Sequence, residues 1–467
     1  MARTALRPWL ALLALLFLGC SGAPEDRQDV VIFLIDTLRA DRTGPYGRFP
    51  SPTPSLDGFA AESIVFEQAY APAPWTLPSA VSLMTSQPLC EHRVAVDGET
   101  VAPEVVTLAE RMAEGGRRTG SFISNPYAGA TSGLDRGFDT AKLVQGTTGD
   151  RLAPWLDDVG GRAFFLYAHN ISPHDPYNGA RGVPKERKVE VNELFDRFRH
   201  LGREDWLAGR PLGTTRNEVA QDALRVEIEA RADAIGRLYE ADIQRADRQL
   251  ESVVEELRRR GRFDDAIFIV LSDHGEALGE HQEWQHDQSL HEEVIRVPML
   301  IRLPGAEHAG LRISEPVSLL DVAPTLAELL GEPALAENAR GRSLVPWIEG
   351  RAVAGGEARV VSTRWNRKKH YEPAAARRGN LNVAIREGSW KAIWNAGPDT
   401  LELYDLARDP RELRDRSGEE IERAQRLAAL AREHAAPCLD ASPEAPSVPE
   451  LDESVRERLR ELGYLDP

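Results

Sequence analysis

The amino-acid sequence predicts an α/β protein: helices sandwich a mostly parallel central sheet, and a small antiparallel sheet follows at the C-terminal end. Three observations carry the prediction. Three short apolar runs end in polar residues and alternate with helix-patterned segments. A long amphipathic stretch lies between the last two runs. Beyond about residue 350 the pattern changes to short alternating strands joined by turns.

"DVVIFLID" (29–36) is β-branched and apolar throughout, as a strand covered on both faces must be. "AFFLYAHN" (163–170) and "DAIFIVLSD" (265–273) read the same way. Between them, 227–261 repeats apolar residues at helical spacing, with Gly261 placed to cap its C-terminus. "GRAVAGGEARVV" reads as a junction, and "NVAIREGSWKAIWN" and "LELYDLARDP" as antiparallel strands. "SVRERLRELGYL" reads as a packed surface helix. Ligands of parallel sheets collect outside the carboxyl ends of the strands, so the polar residues ending these runs are expected on one rim.

The chain has 467 residues and a formal charge of −17, with no basic stripe to neutralise phosphates, which argues against a nucleic-acid partner. Arg3 and Arg7 precede the apolar run Trp9–Leu18, then Gly19 and Cys20. That run is too short to span a bilayer but suits a secretory signal, and "FLGC" resembles a bacterial lipobox. The expectation is an exported, periplasmic lipoprotein anchored only through a lipid on Cys20, with 21–28 as a polar tether. Cys90 and Cys438, the remaining cysteines, are either a disulfide or two unrelated thiols.

Four segments carry chemistry. Asp36 ends the first strand; Thr76 stands before Leu-Pro-Ser at a strand-to-helix turn; His169 and His174 lie in "YAHNISPHDPY"; Asp273 and His274 end the third strand. Singly, each has a plain structural explanation, and Thr76 alone reads as a helix cap followed by an early proline. Together, two carboxylates and an imidazole form an O/O/N set suited to one divalent ion, Zn²⁺ or Mn²⁺ ahead of Ca²⁺. A hydroxyl at a helix N-terminus beside a cation is favoured as an alkoxide, and the histidines are candidate acids for a leaving group.

These segments, with "SDHGEALGEHQEWQHDQSLHEEVIRVPMLIRLPG" and "VSLLDVAPTLAELLG", resemble the sulfatase family of the alkaline phosphatase superfamily. The resemblance implies a three-layer α/β/α sandwich over 29–350, a C-terminal antiparallel subdomain with a helical tail over 351–467, and a metal held by Asp36, Asp273, His274 and Thr76. It also locates departures. The family's formylglycine-forming Cys or Ser is Thr76 here, and the arginine four residues on is Ala80. Oxidation of a threonine side chain gives a ketone, so formylglycine is not expected. The paired aspartates of the first strand are Asp36-Thr37, Asn125 stands near a sulfate-binding lysine position, and His286 near a second.

The resulting expectation is a metal-dependent hydrolase of sulfate or phosphate esters of a small molecule, glycan or lipid. Thr76 serves as unmodified nucleophile, His174 as acid, and Asn125, His286, His169 and Arg39 bind substrate. A phosphoethanolamine-type transferase and a non-catalytic metal-binding protein are the alternatives. Residues 175–226, rich in Arg and Glu, read as an insertion over the pocket.

Overall fold

The computed structural model describes residues 27–177, 186, 188–195, 197, 223–224, 226–351, 358–365, 381–440 and 453–462. The signal, Cys20 and most of the tether lie outside these residues, as do most of the 175–226 insertion and the junction at 352–357.

The central sheet has eight strands: β1 (Val30–Ile35), β2 (Ile64–Phe66), β3 (Arg118–Ile123), β4 (Thr140–Leu143), β5 (Phe164–Asn170), β6 (Ile267–Leu271), β7 (Met299–Arg302) and β8 (Arg312–Ile313), in the order β8-β2-β7-β6-β1-β5-β3-β4. β1 pairs in parallel with β5 and with β6, and only β7 runs antiparallel to its neighbours. All three apolar runs are therefore adjacent central strands, and their carboxyl ends share one rim.

Every residue of β1 is buried, because successive side chains enter different cores. Val30, Ile32 and Leu34 pack with α2 (Thr76–Thr85), α3 (Leu108–Glu114) and α6 (Val322–Leu330). Val31, Phe33 and Ile35 pack with α1 (Pro54–Ala61), α4 (Gly149–Val159) and α5 (Ala232–Arg259). The three-layer sandwich follows directly. Gly261 takes φ +64° just beyond α5, the left-handed conformation that suits glycine after a helix.

The C-terminal sheet is antiparallel, β9 (Arg359–Trp365), β10 (Leu381–Glu387), β11 (Trp390–Asn395) and β12 (Thr400–Asp405) in sequential order. α7 (Ile421–Asp440) covers it, sharing a core with Leu381, Val383, Trp394 and Leu403. A disulfide joins Cys90, in the turn after α2, to Cys438 near the end of α7. α8 (Glu453–Glu461) exposes most of its residues and buries Leu459 in the core that holds α2. Among the described residues no helix is long and apolar enough to cross a membrane.

Candidate active site

The rim of the sheet assembles the predicted residues. Asp36 follows β1, His169 belongs to β5, Asp273 and His274 follow β6, and Thr76 opens α2. All five are completely buried.

Thr76 does not cap its helix. Trp75 holds the cap position, with no side-chain cap bond. The Thr76 hydroxyl instead donates towards both carboxylate oxygens of Asp36 at 3.4 Å and lies 3.3 Å from His274 Nε2. Asn125 Nδ2 donates to Asp36 Oδ2 at 3.1 Å and to Thr76 Oγ1 at 3.2 Å. His274 Nδ1 donates to the Gly275 carbonyl at 2.9 Å, which turns Nε2 towards Asp36 Oδ1 at 3.3 Å and Asp273 Oδ2 at 3.7 Å.

Electrostatics separate the two carboxylates. Burial, then the charge of Asp36, pushes Asp273 up to about 7. Burial also opposes ionisation of Asp36, but the His274 hydrogen bond and the neighbouring histidines outweigh it and hold Asp36 well below the ordinary range. Burial lowers His274, yet Asp273 and Asp36 carry it up to about 9. His169 and His286 are held down to about 4, each chiefly by burial.

The donor set fits a divalent cation. One ligand atom each from Asp36, Asp273 and His274 lies within 4.8 Å of the others, and Asp273 Oδ2 is buried without a hydrogen-bond partner. Two buried carboxylates packed this closely need positive charge, which a divalent ion supplies.

The other predicted residues divide. His169 Nε2 approaches Asp36 Oδ2 at 3.5 Å. His286 packs against His274 and His174, with centroids 4.6 and 4.9 Å away and planes tilted by 42° and 60°, and its Nδ1 is 3.4 Å from Glu276 Oε2. Arg39 is not brought in: its guanidinium binds Asp41 and Glu280 at 2.9 Å and the Glu276 carbonyl at 3.0 Å. Thr37 has φ +55°, a strained conformation for a β-branched residue, and its hydroxyl donates to the Asp36 carbonyl rather than facing the cluster. Ala80 lies in the apolar core.

Several supports went unread in the sequence. Ser79 Oγ donates to the Asp273 carbonyl at 2.7 Å, fastening the first turn of α2 to the end of β6. Ser272 Oγ accepts from Leu38 N–H at 2.9 Å and donates to the His274 carbonyl at 2.7 Å. Tyr239, on α5, donates to the Thr37 carbonyl at 2.7 Å and accepts from Arg39 N–H at 3.1 Å. Glu276, raised to about 8 by burial and then Asp175, sits wholly buried behind His286. Ser79, Ser272 and Glu276 lie inside the motifs already singled out, so their spacing was the available signal; Tyr239 had none.

The fold and the rim cluster define a class: a three-layer α/β sandwich with a buried hydroxyl–carboxylate–imidazole group at the carboxyl ends of its parallel strands. The chain belongs to the sulfatase family: the Sulfatase family model matches residues 28–332, and the model for the C-terminal part of N-sulphoglucosamine sulphohydrolase matches 279–433. It is 32% identical over 267 residues to choline-sulfatase of Rhizobium meliloti (strain 1021), covering 55% of this chain and 47% of that protein. The chain thus spans about half the length of that relative. It is 24% identical over 427 residues to the Delta 4,5-hexuronate-2-O-sulfatase of Bacteroides thetaiotaomicron, covering 84% and 85%. The phosphonate monoester hydrolase of Agrobacterium radiobacter shares the fold with a TM-score of 0.66 at 20% identity, covering 92% of this chain and 99% of that one.

Proposed function

We propose that the protein hydrolyses sulfate or phosphate esters, with the unmodified Thr76 hydroxyl as nucleophile. The observation that carries this reading is that hydroxyl's setting: buried on the first turn of α2, hydrogen-bonded to Asp36 and Asn125, and 3.3 Å from His274 Nε2. Asp36 orients the hydroxyl, whose proton leaves to solvent as the oxygen attacks sulfur or phosphorus. The positive end of the α2 dipole steadies the charge that develops there. His174 protonates the departing oxygen, and water then releases the group from Thr76. A divalent ion held by Asp36, Asp273 and His274 supplies Lewis acidity and neutralises the ester's charge. Asn125 and the neutral rings of His169 and His286 offer dipoles to the ester oxygens.

The names of the relatives support a small polar ester: a choline-sulfatase, a hexuronate sulfatase and a phosphonate monoester hydrolase. A cavity of about 370 Å³ beside His174, lined by Ser172, Asp242, Arg245 and Arg458, is suited to the alcohol part. The same reading places the protein outside the cytoplasm with lipid on Cys20; the N-terminal pattern and the Cys90–Cys438 bond support it, since disulfides persist in oxidising compartments.

The test is to express residues 21–467, load Zn²⁺, Mn²⁺ or Ca²⁺, and assay aryl sulfate, phosphate monoester, phosphate diester and phosphonate. Metal-dependent turnover lost in Thr76→Ala and retained in Thr76→Ser is the expected result. Turnover that survives Thr76→Ala removes the nucleophile, and binding of metal without turnover on any substrate favours a non-catalytic role. Unprocessed full-length chain in the cytoplasmic fraction would refute export.

A further inference from the structure

We propose that His281, His291 and Glu293 form a second cation site, chemically matched to Zn²⁺, which clips the loop after β6 to the C-terminal sheet. The three donors come from two short stretches, a turn at Glu280–Gln282 and the start of the helical turn Glu292–Ile295. Their side chains are only 16%, 13% and 7% exposed, and one ligand atom from each lies within 4.8 Å of the others. The two imidazoles stack with centroids 3.7 Å apart and planes 8° from parallel.

His291 is the telling residue. Both ring nitrogens are buried and neither has a hydrogen-bond partner among the described residues. A neutral imidazole carries one N–H and one lone pair, and burying both unmet is costly. The nearest carboxylate oxygen paired with it, Glu402 Oε2, is 4.0 Å from Nε2, too far for a hydrogen bond. A metal ion satisfies the lone pair.

His281 is bound differently. Nδ1 shares a proton with Glu293 Oε1 at 2.7 Å, and Nε2 lies 3.3 Å from the Glu412 carbonyl. Metal binding there displaces the Nδ1 proton to solvent. Lys391 is spent on Glu292 at 3.0 Å and Glu412 at 2.8 Å, which leaves the Glu293 carboxylate to favour a cation.

Two imidazoles and a carboxylate are a zinc set, whereas Ca²⁺ and Mg²⁺ demand oxygen ligands. Glu402 Oε2, on β12, lies 4.0 Å from His291 Nε2 and accepts from the Tyr404 hydroxyl at 2.8 Å; as fourth ligand it turns its other oxygen to the ion. A closed set leaves no open position for substrate, so the role is structural.

The test counts Zn²⁺ bound per metal-stripped full chain by equilibrium dialysis and atomic absorption. His291→Phe keeps the flat ring but removes both nitrogens; it is expected to bind one Zn²⁺ fewer than wild type, whatever the first site does. In Asp273→Asn, one Zn²⁺ should remain and should raise the melting temperature, and adding His291→Phe should remove both the ion and the shift. Equal counts in wild type and His291→Phe, in protein whose metal-free melting matches, would overturn the proposal. So would retention of the melting shift in the double variant.

Discussion

Two carboxylate–histidine clusters on this chain use the same side-chain types to different ends. Asp36, Asp273 and His274 are completely buried at the carboxyl ends of parallel strands, and a hydroxyl on a helix N-terminus completes the group. His281, His291 and Glu293 lie in turns, with no hydroxyl among them and the Glu402 carboxylate of the C-terminal sheet 4.0 Å from His291. Donor identity makes either cluster a candidate for metal. A nucleophile, a helix dipole and rigid strand ends are what make one of them a candidate for chemistry.

The largest expected effect breaks the first cluster at its distinctive member. Thr76→Ala should lower kcat by about 10³-fold or more while leaving the Zn²⁺ count at the second cluster untouched, read by steady-state kinetics and metal analysis. Next comes the region behind the second cluster. Cys438→Ala should cost about 2–5 kcal/mol of stability in urea denaturation while kcat at low temperature stays unchanged, separating the C-terminal sheet from the reacting groups.

A third histidine sharpens the electrostatic half of the comparison. His92 is buried like His274 but has no carboxylate acting on it, and burial holds it down to about 3. Its Nδ1 accepts from Val94 N–H at 3.1 Å, so Nε2 donates to Ser82 Oγ at 2.9 Å. The unfolded chain takes up this proton near pH 6.5 and the folded chain does not. Stability is therefore present above pH 6.5 and falls as pH drops towards 3, by about 1.4 kcal/mol per pH unit at the steepest. His92→Gln should flatten that slope in urea midpoints measured across the window. The smallest effect is expected for Tyr239→Phe, which removes the hydroxyl holding the Thr37 carbonyl: about tenfold in kcat, with the fold intact by circular dichroism.

The strands that build the rim were legible because a buried parallel strand leaves a continuous apolar run that ends abruptly in polar residues, as "DVVIFLID" does. Thr76 was legible as a residue of interest but not as a hydroxyl free of capping, since a cap and a nucleophile need the same atom in the same place. Arg39 was misplaced because its partner Glu280 arrives from a loop remote in sequence, and no local pattern announces that encounter. Tyr239 was invisible for the same reason: on α5 it reads as one more apolar position. The His281–His291 stack was missed because a pair ten residues apart in irregular chain has no period to betray it.

The bond between Cys90 and Cys438 joins residues 348 positions apart and so turns most of the polypeptide into a closed ring. A single protease cut anywhere inside that ring opens it without dividing the molecule. Such a nicked chain should migrate as one species on a non-reducing gel and as two fragments once the disulfide is reduced. A cut within residues 90–438 therefore leaves both halves covalently joined.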